Sequence, residues 1–206
     1  MIISEDPARL GRELRCRYTA ADLGVLTRDE ARLFAPDGGG DPRADVTLAW
    51  ELLYRLEPEL YDRLASAERL HPGIVGWLPR SADRIVEVGA GSGRLTLELI
   101  DRGREVVAVE PTAGLTEMER VCRPGGRVAI IWPNHLDWLA ARGYQYRSFA
   151  GPMSMEFASH REAVELAEIF YPHAVTEIRR RGSRRVPYQV LGVNPPRDLA
   201  FKVITR

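Results

Sequence analysis

Hydrophobic positions near the N-terminus recur at the spacing of amphipathic helices. Residues 4–35 alternate charged and apolar groups at helical spacing, with Asp29 and Glu30 after Thr27 as a helix start. The stretch 35–45 follows, and its glycines, prolines and aspartates are typical of a loop. This part of the chain therefore predicts helices joined by one irregular connection.

Two further helices are predicted before residue 80. From Val46 onwards, four leucines fall on one helical face: Leu48, Leu52, Leu53 and Leu56. Pro58 is suited to the first turn of the next helix, which carries Leu60, Tyr61 and Leu64. A short apolar segment then leads to a turn at 79–83. We therefore expect residues 1–80 to form a helical segment that packs on the rest of the chain.

The pattern changes at residue 84 to that of a strand–helix–strand unit. Ile85, Val86 and Val88 form a short β-branched run, typical of a strand buried on both faces. A helical run then carries Leu95, Leu97, Leu99 and Ile100, and Gly103 ends it. A second buried strand, 105–110, follows. A βαβ unit predicts a parallel sheet with a right-handed crossover.

The rest of the chain predicts further helices and strands, with a hairpin at its end. Residues 116–122 read as a helix that stops at the turn 124–126, and 127–133 as a third strand. The signals over 134–173 are mixed, apart from an amphipathic helix with Ser159 as N-cap and Glu162 three residues later. Two strand-like runs, RVPYQVLGV and DLAFKVITR, flank the turn NPPR and predict a C-terminal antiparallel hairpin. We expect residues 81–206 to form one α/β domain.

Composition narrows the class of protein. The 29 basic and 29 acidic residues cancel, so no overall field favours nucleic acid or an anionic membrane. The first residues are acidic where a signal peptide is basic, and no apolar run approaches the roughly 20 residues that span a bilayer. We expect a cytoplasmic protein. Cys16 and Cys122 match no metal-ligand spacing and predict ordinary thiols, and we expect no metal site.

The most informative motif is the stretch EVGAGSGRL. It carries Gly89, Gly91 and Gly93 directly after a strand and at the start of a helix, where glycines let the backbone approach a ligand and present amides to it. Glu110 ends the next strand 17 residues after Gly93, a place from which a carboxylate can bind both hydroxyls of a ribose. A dinucleotide fingerprint requires a third glycine where Arg94 stands. A tight turn without a ligand is the alternative.

These motifs resemble those of the class I S-adenosylmethionine-dependent methyltransferases. VEVGAGSGRLT is similar to their first motif, VAVEP to their ribose-binding strand end, and MERVCRPGGRVAI to a late helix–turn–strand. LYDRL resembles the segment that closes over the methionine end of the cofactor. The resemblance covers about 50–133 and 184–206. It implies a doubly wound, Rossmann-like, mostly parallel sheet and S-adenosylmethionine as cofactor.

The resemblance also implies roles for individual residues. The turn residues would line the methionine and ribose side of the cofactor: Gly89, Ala90, Gly91 and Gly93. Glu87 would orient this turn or meet the methionine amino group, and Glu110 would hold the ribose hydroxyls. Tyr61 would cover the methionine carboxylate, although on an amphipathic helix plain packing is the commoner role of a tyrosine.

The chain departs from the family between Glu110 and Arg127. The family places two strand–helix units there, whereas residues 111–126 give room for one helix, since a crossover takes about 10–12 residues. We infer that two units are missing. The expected sheet is then reduced to the parallel order 2-1-3, with strand 127–132 beside strand 84–88 and the C-terminal hairpin at its end.

Several functional hypotheses remain open. The first is methyl transfer to an unknown acceptor, with a small molecule favoured over a macromolecule and the oligomeric state undetermined. The second is a catalytically inactive, internally truncated chain that acts as a binding or scaffold module or is a remnant. The third, a nicotinamide-dependent oxidoreductase, is disfavoured by Arg94. No catalytic residue is assigned. His135 is a candidate base, but a surface role is commoner for such a histidine. The arginine cluster 179–185 is better explained as a solvated turn.

Overall fold

The computed structural model describes residues 14, 16–27, 46–78, 84–90, 93–103, 105–109, 115–133 and 135–205. Asp29, Glu30 and the predicted loop 35–45 and turn 79–83 lie outside these ranges. The helices and strands follow in the order α1 (Val46–Leu56), α2 (Pro58–Ala67), α3 (Pro72–Trp77), β1 (Ile85–Val88), α4 (Arg94–Ile100), β2 (Val106–Val109), α5 (Leu115–Val121), β3 (Arg127–Ile131), α6 (Leu136–Ala140), β4 (Gln145–Ser148), β5 (Ser154–Glu156), α7 (His160–Phe170), α8 (Val175–Arg181), β6 (Arg185–Pro187), α9 (Tyr188–Leu191) and β7 (Asp198–Val203). Short 3₁₀ helices span Ala20–Val25 and Pro172–Ala174.

The described residues form two compact units. The first takes its residues from 1–68 and 154–194, and the second from 69–153 and 195–206. The division of the chain at residue 80, expected from the sequence, stays a prediction. None of the helices in the described ranges is long and apolar enough to cross a membrane.

The first unit is mainly helical, as the leucine pattern predicts. Leu48, Leu52 and Leu53 of α1 are fully buried, whereas Leu56 is exposed. Trp50 stacks on Phe170 of α7 with ring centroids 5.6 Å apart. Pro58 opens α2 at its first turn, as predicted. The hydrophobic faces of α1 and α7 thus share one core.

Helix α7 begins as predicted, with a small change in its cap. The Ser159 hydroxyl oxygen accepts a hydrogen bond from the Glu162 N–H at 3.0 Å, so Ser159 is the N-cap. The Glu162 carboxylate accepts the N–H of Ala158 at 2.8 Å, one residue before the cap. Arg63 of α2 donates to Glu162 and to Glu165, each at 3.1 Å, which ties α2 to α7.

The second unit contains the predicted βαβ element. Strands β1 and β2 are parallel, with Ile85 opposite Val106 and Val88 opposite Val109. Helix α4 connects them, and α5 and β3 occur where the sequence predicts a helix and a strand. The architecture is therefore mixed α/β, with a two-stranded parallel sheet and separate antiparallel sheets.

In the predicted parallel order 2-1-3 the pairing of strands 2 and 1 is confirmed, but the place of the third strand is wrong. Strand β3 pairs antiparallel with β7, from Arg127 opposite Val203 to Ile131 opposite Leu199. Strand β4 pairs with the other edge of β7. Because Leu199 and Ala200, which face opposite sides of β7, are both buried, β7 is suited to a central position. The order β3-β7-β4 replaces the expected pairing of β3 with β1.

The predicted C-terminal hairpin is also wrong. Strand β6 ends at Pro187, which cannot donate to a ladder, and the chain turns directly into α9. Tyr188 and Leu191 of α9 are buried, so the apolar residues of this run serve a helical face. Strand β6 pairs with β5, and β7 with β3 and β4, so the two predicted hairpin strands belong to different sheets.

The expected burial of β1 on both faces is contradicted as well. Val86 is 57% exposed, and its cross-strand partner Val107 is 43% exposed. Thr96 of α4 bonds to Glu87, which places α4 on the Glu87 face. Val86 points to the opposite face, because adjacent side chains on a strand alternate. The face that carries Val86 and Val107 is therefore poorly covered.

Candidate functional site

The glycine turn has the backbone geometry that its glycines predict. Gly89, directly after β1, has φ +73°, and Gly93 has φ +75° and ψ 20° as the N-cap of α4. Side chains with a Cβ rarely adopt these left-handed values, so both glycines are needed for the conformation. The turn thus joins the carboxyl end of a parallel strand to the N-terminus of a helix.

Glu87 places a carboxylate beside this turn. Its oxygen Oε2 accepts a hydrogen bond of 2.6 Å from the Thr96 hydroxyl. Burial raises the pKa of Glu87 above its ordinary value, and the Thr96 hydrogen bond and the charge of Arg94 act in the opposite direction. Glu87 is therefore a half-buried acid whose charge depends on its immediate partners.

The described part of the turn fits a ligand that approaches the backbone closely. A Cβ built on Gly89 would meet no atom within 4 Å, so space is open at this position. The second oxygen of Glu87, Oε1, receives no hydrogen bond from the residues that the structure describes. An ammonium group is the kind of partner that such an oxygen binds. The Oε1 oxygen of the Glu87 carboxylate and the open space at Gly89 are compatible with the methionine end of S-adenosylmethionine.

The predicted site residues are only partly gathered by the structure. Glu87 lies near the end of β1, Gly89 and Ala90 follow that strand, and Gly93 caps α4; Ala90 is half-buried. Gly91 and Glu110 lie outside the described residues, so their predicted roles stay predictions. The short join 111–114 lies outside them as well.

Tyr61 has a packing contact in the first unit. Its ring meets that of Tyr54 edge-on, with centroids 4.6 Å apart and an interplanar angle of 81°. This contact is the packing alternative that an amphipathic helix predicts. A role for Tyr61 over a methionine carboxylate stays a prediction.

His135 and the arginine cluster 179–185 lie at the surface, but the cluster is not the predicted turn: residues 179–181 end α8 and Arg185 begins β6. His135 is exposed at the N-terminus of α6 and makes no side-chain cap bond. The five arginines of 179–185 each pair with a glutamate, at Glu156, Glu168 or Glu177. These pairs neutralise much of the cluster, which weakens its attraction for phosphates. Within the described ranges, no three metal-binding side chains are close enough to hold an ion.

Comparison with known proteins gives a partial match. An uncharacterized methyltransferase of Mycobacterium bovis is 41% identical over 54 residues, which is 26% of this chain and 22% of that protein. Uncharacterized methyltransferases of two Mycobacterium tuberculosis strains match to the same extent. The matched segment thus spans only about a fifth of the length of these curated relatives. No family model matches the chain. No solved structure matches it either.

Thr96 is the last residue of the motif VEVGAGSGRLT, but the family resemblance assigns no role to it. It lies on the first turn of α4, nine residues after Glu87. Leu95 is half-buried and Leu99 is buried, so both lie on the inward face of α4. Thr96 follows Leu95 and precedes Leu99 by three residues, which places it on the same face. A hydroxyl at an inward position of a helix opposite a strand acid is the signal that could have identified it.

Proposed function

We propose that the chain binds S-adenosylmethionine at the turn 89–93 and transfers its methyl group to an acceptor, with a small molecule favoured. The observation that carries the proposal is the joint geometry of Glu87, Gly89 and Gly93 at the end of a parallel strand. The similarity of a 54-residue segment to uncharacterized methyltransferases supports it. The bound cofactor supplies an electrophilic methyl group on a sulfonium sulfur.

The residues of the chain would act mainly by positioning. Glu87 would accept the ammonium group of the cofactor, and the left-handed glycines would let the ligand approach the backbone. Glu110 would accept both ribose hydroxyls. Methyl transfer from a sulfonium depends on in-line alignment of donor and acceptor, which binding supplies. A base is needed only where the acceptor loses a proton in the step.

Calorimetry with S-adenosylmethionine and S-adenosylhomocysteine tests the binding part of the proposal. We expect a micromolar dissociation constant that is lost in Glu110→Ala. Glu105→Gln is the matched control, because Glu105 precedes the same strand at its other end and pairs with Arg84 there. Absence of binding at millimolar ligand, or equal loss in the control, would contradict the proposal.

A catalytically inactive binding module is the second candidate. The exposed Val86 and Val107 favour it, since they show that the parallel sheet lacks the covering layers usual for such sheets. Cofactor binding without release of S-adenosylhomocysteine, across a panel of small amine, hydroxyl and thiol acceptors, would support this candidate. Thermal stabilisation by NAD but not by S-adenosylmethionine would instead support the oxidoreductase alternative.

A further inference from the structure

Thr96 links the two sides of the glycine turn. Its hydroxyl reaches back from the first turn of α4 to Glu87 Oε2 on β1, at 2.6 Å. Its Cβ and Oγ1 would also stand 3.9 Å from a Cβ placed on Gly93, so the side chain packs at the helix N-cap. Thr96 thus binds the acid before the turn and lies within van der Waals reach of where a side chain on Gly93 would be.

We propose that Thr96 is a positioning residue that fixes the Glu87 carboxylate, leaving Oε1 as the acceptor for the ammonium group of the bound ligand. This inference rests on the proposed function. A threonine is suited to the task, because its β-branched side chain has few rotamers and its hydroxyl can therefore take few positions. A carboxylate fixed at one oxygen has less freedom to lose when its other oxygen binds a cation.

The hydrogen bond has an electrostatic effect as well as a geometric one. Burial favours the neutral form of Glu87, while Thr96 and Arg94 favour the carboxylate. Ala108, opposite Glu87 on β2, carries no charge. Loss of the hydroxyl therefore leaves Arg94 as the group among the described residues that opposes the effect of burial, and it moves Glu87 toward its protonated form. A protonated Glu87 is a poorer acceptor for an ammonium group.

Two substitutions of Thr96 separate the effect of its hydroxyl from the effect of its packing. Thr96→Val keeps the shape and removes the donor, and Thr96→Ser keeps the donor. We expect Thr96→Val to weaken binding of S-adenosylmethionine about tenfold at pH 7, as loss of a hydrogen bond to a charged group does. Thr96→Ser should stay within about threefold of the wild type, since the loss of one methyl group is a small effect. Thr116→Val, an exposed threonine in the equally short helix α5, controls for the exchange itself.

The pH dependence distinguishes positioning from a merely structural role. In Thr96→Val the pH below which binding fails should rise, because the pKa of Glu87 rises, and Thr96→Ser should restore it. An unchanged pH profile in Thr96→Val, or an equal loss of affinity in Thr96→Ser, would overturn the inference.

A measurement without ligand keeps this inference separate from the proposed function. The Glu87 carboxyl can be titrated by ¹³C NMR in the free full-length chain and in each variant. A higher pKa in Thr96→Val that returns in Thr96→Ser supports the control of Glu87 by Thr96. An identical titration in all three proteins contradicts it. Failure of the wild type to bind S-adenosylmethionine would instead overturn the proposed function.

Discussion

The ring of Phe149 lies directly against Gly73 of α3, so that Phe149 Cγ would stand 2.8 Å from a Cβ on that glycine. The same ring stacks on His71, with centroids 5.6 Å apart and an interplanar angle of 14°. His71 Nδ1 accepts the Gly73 N–H at 3.0 Å, which caps α3. The Phe149 ring therefore packs against the first residues of α3 and against the histidine that caps this helix.

Gly73→Ala should destabilise the protein, because the new methyl group overlaps the Phe149 ring. Overpacking of this kind costs about 1–3 kcal/mol of unfolding free energy. Gly76→Ala in the same helix is the matched control, since a Cβ there meets nothing within 4 Å. The control should be stabilising by about 0.4–1 kcal/mol. Urea unfolding measures both, and equal effects would refute the packing that we describe.

His71→Ala should lower the unfolding free energy by at least about 1 kcal/mol, because the Gly73 N–H loses its capping acceptor and the ring also loses its contacts with Phe149 and the Ala150 carbonyl. His135→Ala is the matched control: His135 also precedes a helix, but its side chain makes no cap bond. It should change stability by less than about 0.5 kcal/mol. Comparable losses in thermal unfolding for both variants would show that the His71 cap contributes nothing.

Glu87→Gln should stabilise the fold at neutral pH. The folded-state pKa of Glu87 is raised, chiefly by burial. The stability that protonated Glu87 gives the folded state is therefore fully present below the ordinary pKa, and it is lost as the pH rises through the raised pKa. The amide oxygen of Gln still accepts the Thr96 hydroxyl without the cost of burying a charge. The gain over the wild type should therefore grow as the pH rises from the ordinary pKa of a glutamate to the raised pKa of Glu87, and stay constant above it.

Unfolding of both proteins by urea at a series of pH values checks this expectation. A gain that is independent of pH, or a loss at neutral pH, would contradict it. If Glu87→Gln is more stable and also binds S-adenosylmethionine less tightly, the acid is retained at a cost to stability, as at many functional sites.

Leu99→Ala and Leu97→Ala make the same change two residues apart in α4. Leu99 is 1% exposed and Leu97 is 62% exposed. The first substitution should cost about 2–5 kcal/mol, because it leaves a cavity. The second should cost less than about 1 kcal/mol, since an exposed alanine forms helix well. Guanidinium unfolding compares them, and a reversed order would mean that the other face of α4 is the buried one.

Local elements could be predicted from the sequence because their signals are local. Pro58 at a first turn, Ser159 with an acceptor oxygen at a cap and the glycines after β1 each determine the conformation of a few neighbouring residues. The spacing of Leu48, Leu52 and Leu53 likewise specifies a helical face. Such features do not depend on which distant segment lies opposite.

Strand pairing could not be predicted in the same way. The residues of β7 predict a strand, but nothing within Asp198–Val203 specifies β3 and β4 as its neighbours. Strand β4 is exposed throughout and polar, so it lacks the alternation that reveals a strand. Strand β5 has only three residues. The expected parallel order came from the family resemblance, and the observed pairing of β3 with β7 departs from it.

The exposed faces of Val86 and Val107 bear on how the protein behaves in concentrated solution. Both side chains present apolar surface to water on a sheet of only two strands. The chain has a formal net charge of zero and a pI of about 6.9, so copies repel one another weakly near neutral pH. Solubility should accordingly be lowest in the buffers usually chosen for enzyme assays and improve at pH values away from neutrality. Because Val86 and Val107 are exposed, the aggregation state of the sample is thus a variable in every binding measurement.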